Sequence, residues 1–75
     1  MEISVLSFEL ANEGRAIQIH CDKEGLATLT TALERVRTSG HLHLRTPANG
    51  GRELSEKNPW GKEAIGEVII TTGGD

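Results

Sequence analysis

Three features of the chain predict a small α+β domain. Residues 15–21 alternate with the period of a strand, with Ile17, Ile19 and Cys21 on one side and Gln18 and His20 on the other. Residues 41–45 do the same, setting Leu42 and Leu44 against His41, His43 and Arg45. Between these runs Leu26, Leu29, Leu33 and Val36 recur at helical spacing and form one apolar stripe. The resulting order, β-β-α-β-β, predicts a small, antiparallel-rich four-stranded sheet with one helix packed on one face.

The first strand is expected over residues 3–10. Ile3 and Val5 fall on one face and Leu6, Phe8 and Leu10 on the other, a mixture that implies burial on both faces or a bulge. Ala11-Asn12-Glu13-Gly14 supplies a hairpin turn, because Asn and Gly tolerate positive φ. Asp22 is a good N-cap for a helix over residues 23–38, Glu24 suits its positive end, and Gly40 suits the left-handed residue after its last turn. The leucine stripe is read as core, so Leu33→Ala is expected to cost roughly 2–5 kcal/mol. The last strand is expected over residues 64–72, carrying Ile65, Val68, Ile69 and Ile70, with 72–75 as a frayed tail. One helix covers only one sheet face. The other would present Gln18, His20, His41, His43 and Arg45.

The chain of 75 residues forms a single domain, and a chain this short buries only roughly 60% of its unfolded surface. Phe8 and Trp60 are its only aromatic residues, so the core is aliphatic and a deep internal substrate cavity is not expected. Eleven acids against eight bases give a net charge of −3, unfavourable for nucleic acid, whose affinity comes from Lys and Arg on phosphates. Cys21 stands alone, which rules out an intrachain disulfide and a Cys-rich zinc site, and it is expected to face the core. The opening MEISVLSFEL has no basic run before an apolar one, and no stretch approaches the roughly 20 apolar residues of a membrane span. A cytoplasmic protein is expected.

Eighteen residues, 46–63, connect the third strand to the last. A loop beyond about 12–15 residues is usually functional or disordered. This one carries ordering devices: Pro47, Gly50-Gly51 and Asn58-Pro59, with room for one helical turn around residues 53–57. Trp60 is either a plug on the sheet or an exposed contact anchor.

The histidines are the first candidates for chemistry. His41 and His43 share a strand face, and His20 could complete a three-histidine metal site; no acid alternates with the pair, and the bland reading is a polar sheet face. Two His-x-Thr or His-x-Ser motifs, a Gly-x-Ser-x-Gly elbow and a phosphate loop are all missing from the sequence. Arg45, Arg52, Lys57 and Lys62 are interleaved with Glu53, Glu56 and Glu63, which suits a polar protein interface better than a nucleic-acid surface. No enzyme activity, metal or cofactor is expected.

The segment HLHLRTPANGGRELS, residues 41–55, resembles the signature of the immunity protein 32 family of bacterial polymorphic toxin systems. The correspondence runs through His41, Leu42, His43 and Leu44, then Thr46-Pro47, Gly50-Gly51 and Glu53-Leu54-Ser55. It departs at Asn49, where members often have a bulky residue such as Trp, and at Arg45, where an apolar residue such as Met is more usual. The resemblance implies a protein that binds a cognate toxin and occludes its functional surface. The expected contact residues are His43, Arg45, Asn49, Arg52, Glu53 and Trp60, while Thr46, Pro47, Gly50 and Gly51 shape the loop. The competing readings are a small non-catalytic interaction module, with weak homodimerisation through the uncovered sheet face as one form of it, and, behind that, a small enzyme or metal protein built on the histidines.

Overall fold

The computed structural model describes residues 5–56 and 63–73. The α+β class stands. In chain order the elements are β1 (Leu6–Ala11), β2 (Ala16–Cys21), α1 (Lys23–Ser39), β3 (His41–Arg45), a 3-10 turn (Pro47–Asn49) and β4 (Glu67–Thr71). The expected single four-stranded sheet is instead two antiparallel pairs, β1 with β2 and β3 with β4.

The reason lies in the long connection. The Ser55 N–H donates to Leu6 O (2.8 Å), the Ser55 hydroxyl accepts from Leu6 N–H (3.2 Å), and Ile65 N–H donates to Phe8 O (2.8 Å). Leu54 N–H donates to Arg45 O (3.1 Å), and Thr46 N–H to Gly66 O (3.0 Å). Residues 54–55 and 65–66 therefore occupy the edge of β1 that a third strand would have taken. Ile65, expected inside the last strand, instead crosses to β1, and β4 begins two residues later.

β1 is buried on both faces. Leu6 and Phe8 enter the core with Leu44, Leu54 and Ala32, while Ser7 and Glu9 are buried on the opposite side. Cys21 is half-buried and packs against that core, as do Leu42, Val68 and Ile70 from the second hairpin. The β1–β2 turn puts Asn12, Glu13 and Gly14 all at positive φ, 53°, 58° and 84°, which Asn and Gly accept readily and Glu does not.

Both helix caps form as the sequence predicts. Asp22 Oδ1 accepts Gly25 N–H (2.7 Å) and also Val5 N–H (3.0 Å), joining the helix start to the start of β1. Gly40, at φ 88°, donates its N–H to Val36 O. The leucine stripe is a correction. The buried line is Gly25, Ala32 and Val36, with Leu29 half-buried, and Leu33 is 51% exposed and Leu26 54%. At 3.6 residues per turn these two leucines sit roughly 90° round from the buried line. Small residues hold the contact because the helix lies close against β1; larger side chains are displaced to the flank.

The same geometry corrects β2. Ile17 and Ile19 pair with Leu10 and Phe8 on the helix-side face, yet they are 60% and 50% exposed, because the helix lies over β1 and leaves β2 overhanging.

Candidate functional site

The outward face of the β3–β4 hairpin carries the candidate site. The register pairs His41 with Thr71, His43 with Ile69 and Arg45 with Glu67, so these six residues share one face while Leu42, Leu44, Val68 and Ile70 take the other. Ile69 is largely exposed midway along β4, with His43 opposite and Glu67 and Thr71 on either side along its own strand.

Glu67 organises the charged end. Its Oε2 lies 2.6 Å from His43 Nδ1 and 2.9 Å from Arg45 Nε. Arg45 also comes within 3.3 Å of His43 Nδ1, but a guanidinium only donates. The shorter contact therefore fixes the roles: Nδ1 carries the proton and donates to Glu67, and the arginine approach is a close contact. The His41 and His43 rings meet edge to face, with centroids 5.3 Å apart.

The turn after β3 braces this face. Thr46 is buried and caps the 3-10 turn with Pro47 in its first position. Its carbonyl accepts Asn49 N–H (2.9 Å) and Gly51 N–H (3.0 Å), and Gly50 sits at φ 87°. A Cβ on Gly51 would lie 2.5 Å from Arg45 Cβ and 2.6 Å from Arg45 O, so only glycine allows the chain to return past β3. The expected loop-shaping role of these residues matches this geometry. Glu53 Oε1 then accepts Arg45 N–H and Arg52 N–H, each at 3.3 Å, and Leu54 is buried as the loop's anchor. The single helical turn in the loop is at Pro47–Asn49; around residues 53–56 the chain only bends.

Of the expected contact residues, His43, Arg45 and Glu53 are brought together around the end of β3. Arg52 is exposed beside them. Asn49 is exposed, and its Nδ2 donates to Thr46 Oγ1 (3.0 Å) and fills the space where a Cβ on Gly66 would sit. Trp60, with Lys57 and Lys62, lies outside the described residues. Sequence reasoning missed Glu67 and Ile69. Their outward placement was readable from the alternation of EVIIT, but their partners depend on a register that the long connection hides.

His20 stands on the other hairpin, opposite Ser7, away from the His41–His43 pair. Among the described residues, no group of three or more His, Cys, Asp or Glu is arranged to hold a metal ion. Beside the site an open groove of about 300 Å³ runs between α1 and β3, lined by Thr28, Thr31, Arg35, Leu42 and Glu53 among others. No helix among them is long and apolar enough to cross a membrane.

Three carboxyls are held below their ordinary values of 3.8 for Asp and 4.5 for Glu. For Asp22 the cause is the Gly25 N–H, then the Val5 N–H. For Glu67 it is the His43 hydrogen bond, then Arg45. Partial burial pushes Glu53 up, but the N–H groups of Glu53, Arg45 and Arg52 and the Arg45 charge outweigh it. A carboxyl with a depressed folded pKa contributes stability that is present above its unfolded pKa and lost as pH falls through the folded one. The urea midpoint is therefore expected to fall as pH drops from about 5 to about 3, and Glu67→Gln to make that fall shallower. A midpoint that does not move over this interval would show that these contacts contribute nothing.

Compared with protein-family models, with curated proteins and with solved structures, the chain matches none.

Proposed function

We propose that the chain is a non-catalytic protein-binding module of the immunity type, which neutralises a cognate bacterial toxin by covering a surface the toxin needs. The observation that carries the binding role is the outward face of β3–β4: an exposed Ile69 set among His41, His43, Arg45, Glu67 and Thr71. An apolar centre with a polar rim is the usual anatomy of a protein interface. The ion-paired rim is already ordered by Glu67 and Glu53, so little side-chain freedom is lost on docking. The toxin as partner, and the cytoplasm as the place of action, rest on the resemblance of residues 41–55.

The test is co-expression with the product of the adjacent open reading frame, followed by co-purification. The chain should rescue cells from that product and bind it directly. Ile69→Asp and Arg52→Glu should each weaken binding by roughly 30-fold or more while thermal stability stays near wild type. Rescue and binding unaffected by both substitutions would place the interface elsewhere, and failure to bind the neighbouring product would reject the immunity reading.

A further inference from the structure

β2 is an edge strand with unusually little to protect it. Asp22 N–H donates to Val5 O (3.1 Å), and the register pairs Leu6 with Cys21. Antiparallel alternation then turns the backbone groups of Ala16, Gln18 and His20 towards β1 and those of Ile17, Ile19 and Cys21 outward. Among the described residues no strand takes that outer edge, and residues 54–55 and 65–66 lie on the opposite edge of β1. Edge strands are normally guarded by proline, a bulge or an inward-pointing charge. Residues 16–21, AIQIHC, have none of these, and Ile17, Ile19 and Leu10 of the same hairpin are half-exposed or more. Leu26 and Leu33 add to this apolar area. They line the helix flank turned away from the β3 groove, the side on which β2 lies.

The edge also complements itself. Residues 13–23 read EGRAIQIHCDK. Inverted about Gln18, Ile17 falls on Ile19, and Arg15, one residue before the strand, comes to Cys21 beside Asp22, one residue after it. Each end then sets the Arg15 cation of one copy near the Asp22 carboxylate of the other. The same inversion places the outward backbone groups of Ile17 opposite those of Ile19, which is the hydrogen-bonded pair an antiparallel ladder requires. We propose that two copies of the chain associate through β2, antiparallel about a two-fold axis at Gln18. The product is a continuous four-stranded sheet, β1-β2-β2-β1, with both helices on one face and their Leu26–Leu33 flanks turned towards the axis. This surface is separate from the β3–β4 face, so dimer formation and toxin binding do not compete.

Sedimentation equilibrium of the full chain across micromolar to millimolar concentration should show a monomer–dimer equilibrium. Ile17→Lys, at an exposed position, should keep the circular dichroism spectrum and raise the dissociation constant at least about tenfold by placing like charges near the axis. Arg15→Glu, which sets a like charge near the partner copy's Asp22, should also weaken the dimer. In a Cys21→Ser background, Gln18→Cys should form an interchain disulfide on mild oxidation. The axis would bring the two Cα atoms to about 4.5 Å, within the range of roughly 4.4–6.8 Å that a disulfide spans. A monomer at every concentration overturns the proposal. So does a dimer indifferent to Ile17→Lys, or Gln18→Cys cross-linking no better than Thr71→Cys on the other hairpin.

Discussion

Gly25→Ala is expected to destabilise the domain by roughly 3 kcal/mol or more, read from urea unfolding. In an ordinary exposed helix position the same change would stabilise by about 1 kcal/mol, because glycine is the poorer helix former. The sign reverses here because of Val5. A Cβ on Gly25 would overlap the Val5 carbonyl oxygen, lie 2.5 Å from the Val5 carbonyl carbon and 3.1 Å from Cys21 Cβ. Two of these three obstacles are backbone, and that backbone is tied down. Val5 O accepts Asp22 N–H, and Asp22 Oδ1 holds both Val5 N–H and Gly25 N–H. Making room means breaking the joint between the helix cap and the start of β1. A domain of this size has only roughly 5–10 kcal/mol of stability in total, so the loss should be visible as partial unfolding at physiological temperature. Thr30→Ala, on the exposed side of the same helix, is the control and should gain slightly. If Gly25→Ala is neutral, the close contact between helix and β1 is not rigid.

That glycine shows where sequence reasoning stops. A capping box would put Glu at the third helical position after Asp22, and the chain puts Gly there instead. The substitution of expected residue by glycine was a readable sign of close approach, although what approaches comes from seventeen residues or more away. The helix caps, the hairpin turn and the position of β3 were all legible because each depends on neighbours in sequence. The two-sheet arrangement was not. It depends on residues 54–55 and 65–66 lying along the outer edge of β1; nothing local in RELS reads as a strand, and AIGE reads as the start of the last strand, not as a partner of β1.

The candidate site divides along the same line. Thr46, Pro47, Gly50 and Gly51 were recognisable as loop-shaping candidates from their backbone chemistry; Thr46 precedes the 3-10 turn, Pro47 opens it, Gly50 takes a positive φ and Gly51 passes close to Arg45. The outward positions of His43 and Arg45 followed from alternation. Their acidic partner did not, because Glu67 is twenty-two residues beyond Arg45 and meets it only through the β3–β4 register. Asn49, expected as a contact residue, is exposed and also bonds Thr46 through its side chain, a contact that alternation and motif could not show.

Leu44→Ala and Leu33→Ala form the sharpest paired test of the fold. Both remove the same atoms, and the leucine stripe by itself makes Leu33 the core position. Leu44 is 1% exposed and packs with Leu6, Phe8, Ala32 and Leu54, the point at which both hairpins, the helix and the long connection meet. Its truncation leaves a cavity that no single element can collapse into, and is expected to cost roughly 2–5 kcal/mol. Leu33 is half-exposed on the helix flank, and its truncation removes little buried area while placing the best helix former on an open turn. In dilute solution Leu33→Ala should change stability by less than about 1 kcal/mol. The comparison distinguishes two helix orientations that the sequence satisfies equally well, since residues 25, 29, 32 and 36 have the same periodicity as 26, 29, 33 and 36. Equal losses at the two positions would mean that the helix is rotated to bury its leucines, and would also remove the apolar flank on which the proposed β2 dimer partly depends.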